Sequence, residues 1–111
     1  MWEKSRHGAI DVVSGDEALT LDNCDSLRRL LEECVNDGQP QVVLDCQQIP
    51  LLDSAGLELL LDIRQSCARR GGLFQLAGLN SLCLDILQIT NIASLFELYD
   101  DSVAAAGSFA Q

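Results

Sequence analysis

Basic residues are scarce in this chain. Lys4 is the only lysine, and with six arginines it makes 7 cations against 17 acids in 111 residues, a formal net charge of −10. Nucleic acids and anionic membrane surfaces are bound through clustered Lys and Arg. Neither is expected as a partner of a chain with this balance. A basic protein surface is the natural complement, because opposite charge speeds encounter and selects partners. Aromatic residues are also few, at 5% against 48% hydrophobic, so the core must be aliphatic, with leucine dominant. No apolar run approaches the roughly 20 residues of a membrane-spanning helix, and residues 1–7 lack the apolar stretch of a signal peptide. The expectation is a soluble, cytoplasmic chain.

The usual catalytic furniture is missing as well. His7 is the one histidine and reads as a solvated terminal residue. The five cysteines (Cys24, Cys34, Cys46, Cys67, Cys83) have neither zinc-ligand nor redox-motif spacing. Most of them fall on apolar stripes, where a free thiol behaves as a small hydrophobe in a reducing compartment. There is no G-x-S-x-G elbow, no Gly-rich phosphate loop and no His–carboxylate cluster for a metal. A phospho-aspartate receiver would need a lysine near its phosphoryl group, and Lys4 precedes every expected strand. No catalytic residue, metal or cofactor is expected, and the chain is not read as an enzyme.

What is present alternates between strands and helices. Ala9–Val13 and Ala18–Leu21 read as strands joined at Ser14-Gly15-Asp16 into a hairpin. Asp22-Asn23 can cap a helix that carries Leu27, Leu30, Leu31, Cys34 and Val35 on one face and stops at Asn36-Asp37-Gly38. Gln41–Cys46 is a strand whose contiguous Val42, Val43 and Leu44 predict burial on both faces at the centre of a sheet. A helix follows from Ser54 or Ala55 to just before Gly71-Gly72. Its core residues are Leu57, Leu60 and Leu61. Leu59 and Ile63 either broaden that buried face or form a patch for a partner or for self-association.

Leu73–Ala77 is a fourth strand and Leu95–Tyr99 a fifth. A helix capped by Asn80 or Ser81 lies between them, and one capped by Asp101 or Ser102 follows. This order predicts an α/β domain: a mixed sheet of about five strands, with an initial antiparallel hairpin and otherwise largely parallel, covered by about four helices. Residues 1–8 read as an N-terminal extension, 9–106 as the domain and 107–111 as a tail.

Ligands of such sheets gather beyond the carboxyl ends of the strands. Two segments pass there from a strand end to a helix start, Leu21-Asp22-Asn23 and Leu52-Asp53-Ser54, and they are expected to be neighbours. Ser54 stands where a helix offers unpaired N–H groups and the positive end of its dipole. A serine there can cap the helix, hold an anion or accept a phosphoryl group. It has no base beside it in sequence. That suits a substrate of a kinase, which brings its own Mg²⁺, ATP and base, better than a nucleophile. Gly56 either lets a partner's backbone approach closely or serves helix packing.

Val42-Val43-Leu44-Asp45, a short loop, then Asp53-Ser54-Ala55-Gly56-Leu57 resembles the STAS family, the sulfate-transporter and anti-sigma-factor-antagonist domain. Arg69-Arg70-Gly71-Gly72-Leu73-Phe74-Gln75-Leu76-Ala77 and Ile89-Thr90-Asn91-Ile92 followed by Leu95-Phe96-Glu97-Leu98-Tyr99 extend the likeness, which covers roughly Ile10 to Ala106. It implies an anti-anti-sigma factor, a regulatory module of bacterial transcription control. Such a protein binds an anti-sigma factor that is also a serine kinase, is switched off when Ser54 is phosphorylated, and is reset by a phosphatase. Asp22, Asn23, Asp53, Ala55, Gly56 and Leu57 are then the partner-binding positions. The sequence departs from the family pattern at Leu19, where glycine is frequent, and at Cys24. The resemblance also allows a non-switched subunit of a larger assembly, such as a lipid ABC transporter.

Overall fold

The computed structural model describes residues 1–36 and 38–109; Asp37, expected in the stop of the first helix, and Ala110 and Gln111 lie outside them. The elements run β1 (Trp2–His7), β2 (Ile10–Gly15), α1 (Cys24–Val35), β3 (Gln41–Asp45), α2 (Ser54–Arg69), β4 (Leu73–Ala77), α3 (Ser81–Ile89), a 3₁₀ turn (Ala93–Leu95), β5 (Leu98–Tyr99) and α4 (Ser102–Ser108). The five strands form one sheet in chain order. β1 and β2 are antiparallel, and every later neighbour is parallel.

The hairpin exists, but it is built from other residues than the sequence suggests. Residues 1–8, expected as an extension, hold β1, which pairs along its whole length from Trp2 opposite Gly15 to His7 opposite Ile10. The chain reverses at Gly8, whose φ of +66° lies in the left-handed region that glycine enters at little cost. The expected turn at Ser14-Gly15 is the end of β2. The expected strand Ala18–Leu21 reduces to a single parallel bridge between Leu19 and Leu52. β5 is also shorter than Leu95–Tyr99, because Leu95 closes the 3₁₀ turn and Phe96 dives into the core.

The sheet separates two cores of unequal size. One face is packed by α1, α2 and α3. There Leu27, Leu31, Val42, Leu44, Leu60, Ile63, Leu76 and Leu87 are all at most 2% exposed. Leu59 is fully buried with Ile63, so these two broaden the buried face of α2 and do not form a patch for self-association. At about 1.5–3 kcal/mol for each large aliphatic side chain removed from water, this face supplies most of the apolar stabilisation. The opposite face is covered by α4, with Val43, Ala77 and Ala105 at its centre. β3 shows why its sequence carries no alternation: Val42 and Leu44 serve the larger core and Val43 the smaller. On the α4 side the buried Gln75 amide donates to Glu97 at 3.1 Å and to Ser108 at 3.0 Å, fastening the last helix to the sheet.

All five cysteines are free thiols and buried. Burial pushes the Cys34 and Cys67 thiols up to about 11 and raises Cys46 further still, so none of these carries appreciable thiolate at neutral pH. Among the described residues no group of three or more His, Cys, Asp or Glu is placed to hold a metal ion. No described helix is long and apolar enough to cross a membrane.

Candidate functional site

The segment 18–23 lies against the start of α2, beyond the carboxyl ends of β2 and β3. Backbone bonds set the join: Leu19 N–H donates to Leu51 O at 2.9 Å, and Asp53 N–H donates to Leu19 O at 3.1 Å. The two strand-to-helix passages expected to be neighbours are thus joined.

Asp53, not Ser54, is the cap of α2. Its backbone is extended, and its Oδ1 accepts the Gly56 N–H at 3.0 Å, which satisfies one of the unpaired donors of the helix start. The second oxygen is used as well. Oδ2 accepts the Leu21 N–H at 3.1 Å. One carboxylate therefore ties the helix start to the preceding segment. The Gly56 N–H, with those of Leu21 and Ala55, holds the Asp53 carboxyl below the usual carboxylate range, against a smaller upward push from desolvation.

With capping assigned to Asp53, Ser54 is left as the first residue of α2, exposed to solvent. Its hydroxyl is in reach of a visiting enzyme at the positive end of a helix dipole. Asp22 is also exposed, Asn23 and Ala55 are partly buried, and Glu58 is exposed one turn beyond Ser54 on α2. The Asn23 side chain makes no cap bond to α1 and instead donates from Nδ2 to Ala18 O at 2.9 Å, bracing the segment internally.

Two of the positions read as partner-binding lie inside the fold rather than on its surface. Gly56 and Leu57 are buried. A Cβ on Gly56 would stand 2.4 Å from Leu19 O, so the close backbone approach that this glycine permits is to the chain's own Leu19. Leu57 belongs to the core. The surface around Ser54 instead includes two residues that the sequence reading did not single out as surface. Leu21 is 75% exposed and Leu51 40% exposed. The available signal for Leu21 was its place, directly before the polar pair Asp22-Asn23; Leu51 stands next to the buried Leu52 in the loop after Pro50, and nothing in the sequence separates the two leucines.

The model of the STAS domain matches residues 1–105. The chain belongs to the STAS domain family. No curated protein sequence matches it. Among solved structures it is similar to a STAS domain protein from Planctomyces limnophilus (18% identity, 99% of this chain and 98% of that one, TM-score 0.92). It is also similar to an anti-sigma factor antagonist from Mycobacterium paratuberculosis (20% identity, 100% and 94%, TM-score 0.88). The Bacillus cell-fate determinant SpoIIAA in its phosphorylated form superposes less closely (12% identity, 98% and 99%, TM-score 0.76). At these identities the likeness is one of fold.

Proposed function

We propose that this chain is an anti-anti-sigma factor: a regulatory protein-interaction module, without catalysis of its own, that binds an anti-sigma factor with serine-kinase activity. Phosphorylation of Ser54 switches it off and a phosphatase restores it. The observation that carries this reading is the exposed Ser54 hydroxyl at the start of α2, released from capping by Asp53. It sits in a rim with the exposed Leu21, Leu51 and Asp22. The family resemblance and the fold shared with anti-sigma factor antagonists support it.

In the transfer, Ser54 Oγ forms a bond to the γ-phosphorus of ATP as the bond to ADP breaks, and the hydroxyl proton passes to a base of the kinase. The product carries about −1.5 to −2 added charges and three acceptor oxygens, beside Asp53, Asp22 and Glu58. A helix N-terminus tolerates them, so the fold persists while the docking rim becomes bulkier and more negative. A coupling of about 2 kcal/mol, roughly 30-fold in affinity, is within the usual range and is enough for a switch.

The test is incubation with ATP and the serine-kinase anti-sigma factor of the same genome, followed by intact mass and a binding measurement. Wild type gains the mass of one phosphoryl group and loses affinity for that partner, whereas Ser54→Ala gains nothing and stays bound. Labelling of Ser54→Ala to the wild-type level sends the acceptor role to another residue. Binding without any labelling favours a non-switched subunit of a larger assembly.

A further inference from the structure

We infer that Asp53 is a positioning residue that transmits the state of Ser54 to Leu21: its carboxylate holds Leu21 in the docking rim, and a phosphoryl group on Ser54 takes the carboxylate off the Leu21 N–H. This rests on the reading of Ser54 as phospho-acceptor. It adds a second consequence of the modification, a local release of the segment ahead of α1.

The segment is held unevenly. At Leu19 it is fixed three ways: by the bond from its N–H to Leu51 O, by the bond its carbonyl accepts from Asp53 N–H, and by burial of its side chain over Gly56. Beyond Leu19 the chain forms a local turn, with the N–H groups of Asn23 and Cys24 both donating to Thr20 O at 2.9 Å. The Asp53 Oδ2 bond to Leu21 N–H ties that turn across to α2. The Leu21 side chain is 75% exposed and little burial fixes it; the turn is also braced internally by Asn23 Nδ2 donating to Ala18 O, and at Leu21 its tie to α2 is the N–H bond to the Asp53 carboxylate.

The carboxylate is vulnerable to its neighbour. It is anchored by N–H groups at the start of α2, chiefly that of Gly56. A phosphate one residue further on carries more charge and more acceptors, and is drawn to the same helix start. The two anions repel each other and compete for the same donors. Leu21 then loses its acceptor, while Leu19, which bonds only to backbone and sits in its Gly56 seat, keeps its place.

The test needs no partner. Phosphoserine is installed at position 54 during translation, and backbone amide exchange is followed by NMR in the modified and unmodified full-length chain. The Leu21 amide exchanges about tenfold faster or more in the modified protein, with the Leu19 amide unchanged. Asp53→Asn in the unmodified chain reproduces the gain. Its single side-chain oxygen can still accept from Gly56, while its NH₂ cannot accept from Leu21. Phosphoserine added to Asp53→Asn then changes Leu21 exchange by less than about twofold, since the bond is already gone.

Leu21 exchange unchanged by phosphoserine in the wild-type background overturns the inference, and so does equal acceleration at Leu19, which would mean general loosening. Either result leaves the kinase reading standing or falling on the labelling experiment alone.

Discussion

At the scale of single residues, the site depends on Asp53 and Ser54 dividing two tasks between them. Both are residue types that cap helices, and sequence alone leaves either as the cap. The structure resolves the choice by backbone shape: Asp53 is extended and aims its carboxylate at Gly56 N–H, and Ser54 is already helical. The division has a consequence in acid. The folded-state affinity of Asp53 for protons is lowered, first by the Gly56 N–H. An aspartate in an unfolded chain titrates near 3.9. The contribution of this carboxylate is therefore fully present above that value and disappears as pH falls through the lower folded value. Asp53→Asn is expected to be less stable than wild type at neutral pH, with a gap that closes below about pH 4. Urea unfolding of both proteins from pH 7 to pH 3 checks it. A gap that stays constant across that range would mean that the charge of Asp53 adds nothing in the folded state.

At the scale of elements, what the sequence disclosed and what it concealed follow from burial. β3, β4, α2 and α3 were legible because their apolar residues enter a core. Gln41–Asp45, Leu73–Ala77 and the Asn80 cap lie where periodicity and capping chemistry put them. β1 was not legible, because it is an edge strand exposed along all but Trp2. Its polar residues Glu3, Lys4, Ser5, Arg6 and His7 carry no alternation, and its pairing with β2 is a matter of backbone. Ala18–Leu21 gave the opposite error. It alternates like a strand, but only Leu19 is buried, as a plug against α2, and Leu21 faces water. The same distinction explains the site. The place of Ser54 at the start of α2 and the joining of the two segments were readable, whereas the burial of Gly56 and the display of Leu21 depend on how that plug seats.

The seat of Leu19 on α2 gives a stability prediction with an unusual sign. In an exposed helix Gly→Ala gains about 1 kcal/mol. At position 56 the added Cβ would meet Leu19 O at 2.4 Å. Overpacking against backbone costs about 1–3 kcal/mol. Gly56→Ala is expected to lower the urea midpoint without changing the slope of the transition. An unchanged or raised midpoint would show that α2 and the 18–23 segment separate freely, and that the rim is not a rigid surface.

At the scale of the whole molecule, charge is distributed along the axis of the sheet. Asp16, Asp22, Asp45, Asp53 and Asp101 follow strand ends or open helices at one edge, while Arg69 and Arg70 close α2 at the other, near the β1–β2 turn with Arg6 and His7. That edge also carries Ser54, and under the proposed function its acids are the complement of a basic partner surface. The same distribution works against the fold. A net charge of −10 repels itself in the compact state. Among the described residues the side-chain ion pairs are few, chiefly Arg28–Asp62 at 3.1 Å and Arg6–Asp11 at 3.7 Å. Screening should therefore relieve more repulsion than the attraction it removes, and added salt should stabilise the protein. Raising NaCl from low ionic strength to about 0.3 M, where the Debye length drops well below 10 Å, is expected to raise Tm by about 4 °C or more, the shift that roughly 1 kcal/mol makes in a domain of this size. A calorimetric salt series separates screening from general salting-out. Screening levels off once the Debye length is short, and it shrinks near pH 4 as carboxylates protonate. A Tm that is flat or falls with salt at pH 7 would mean that local ion pairing outweighs the net charge, and the acidic edge would then not act as a long-range field for a partner.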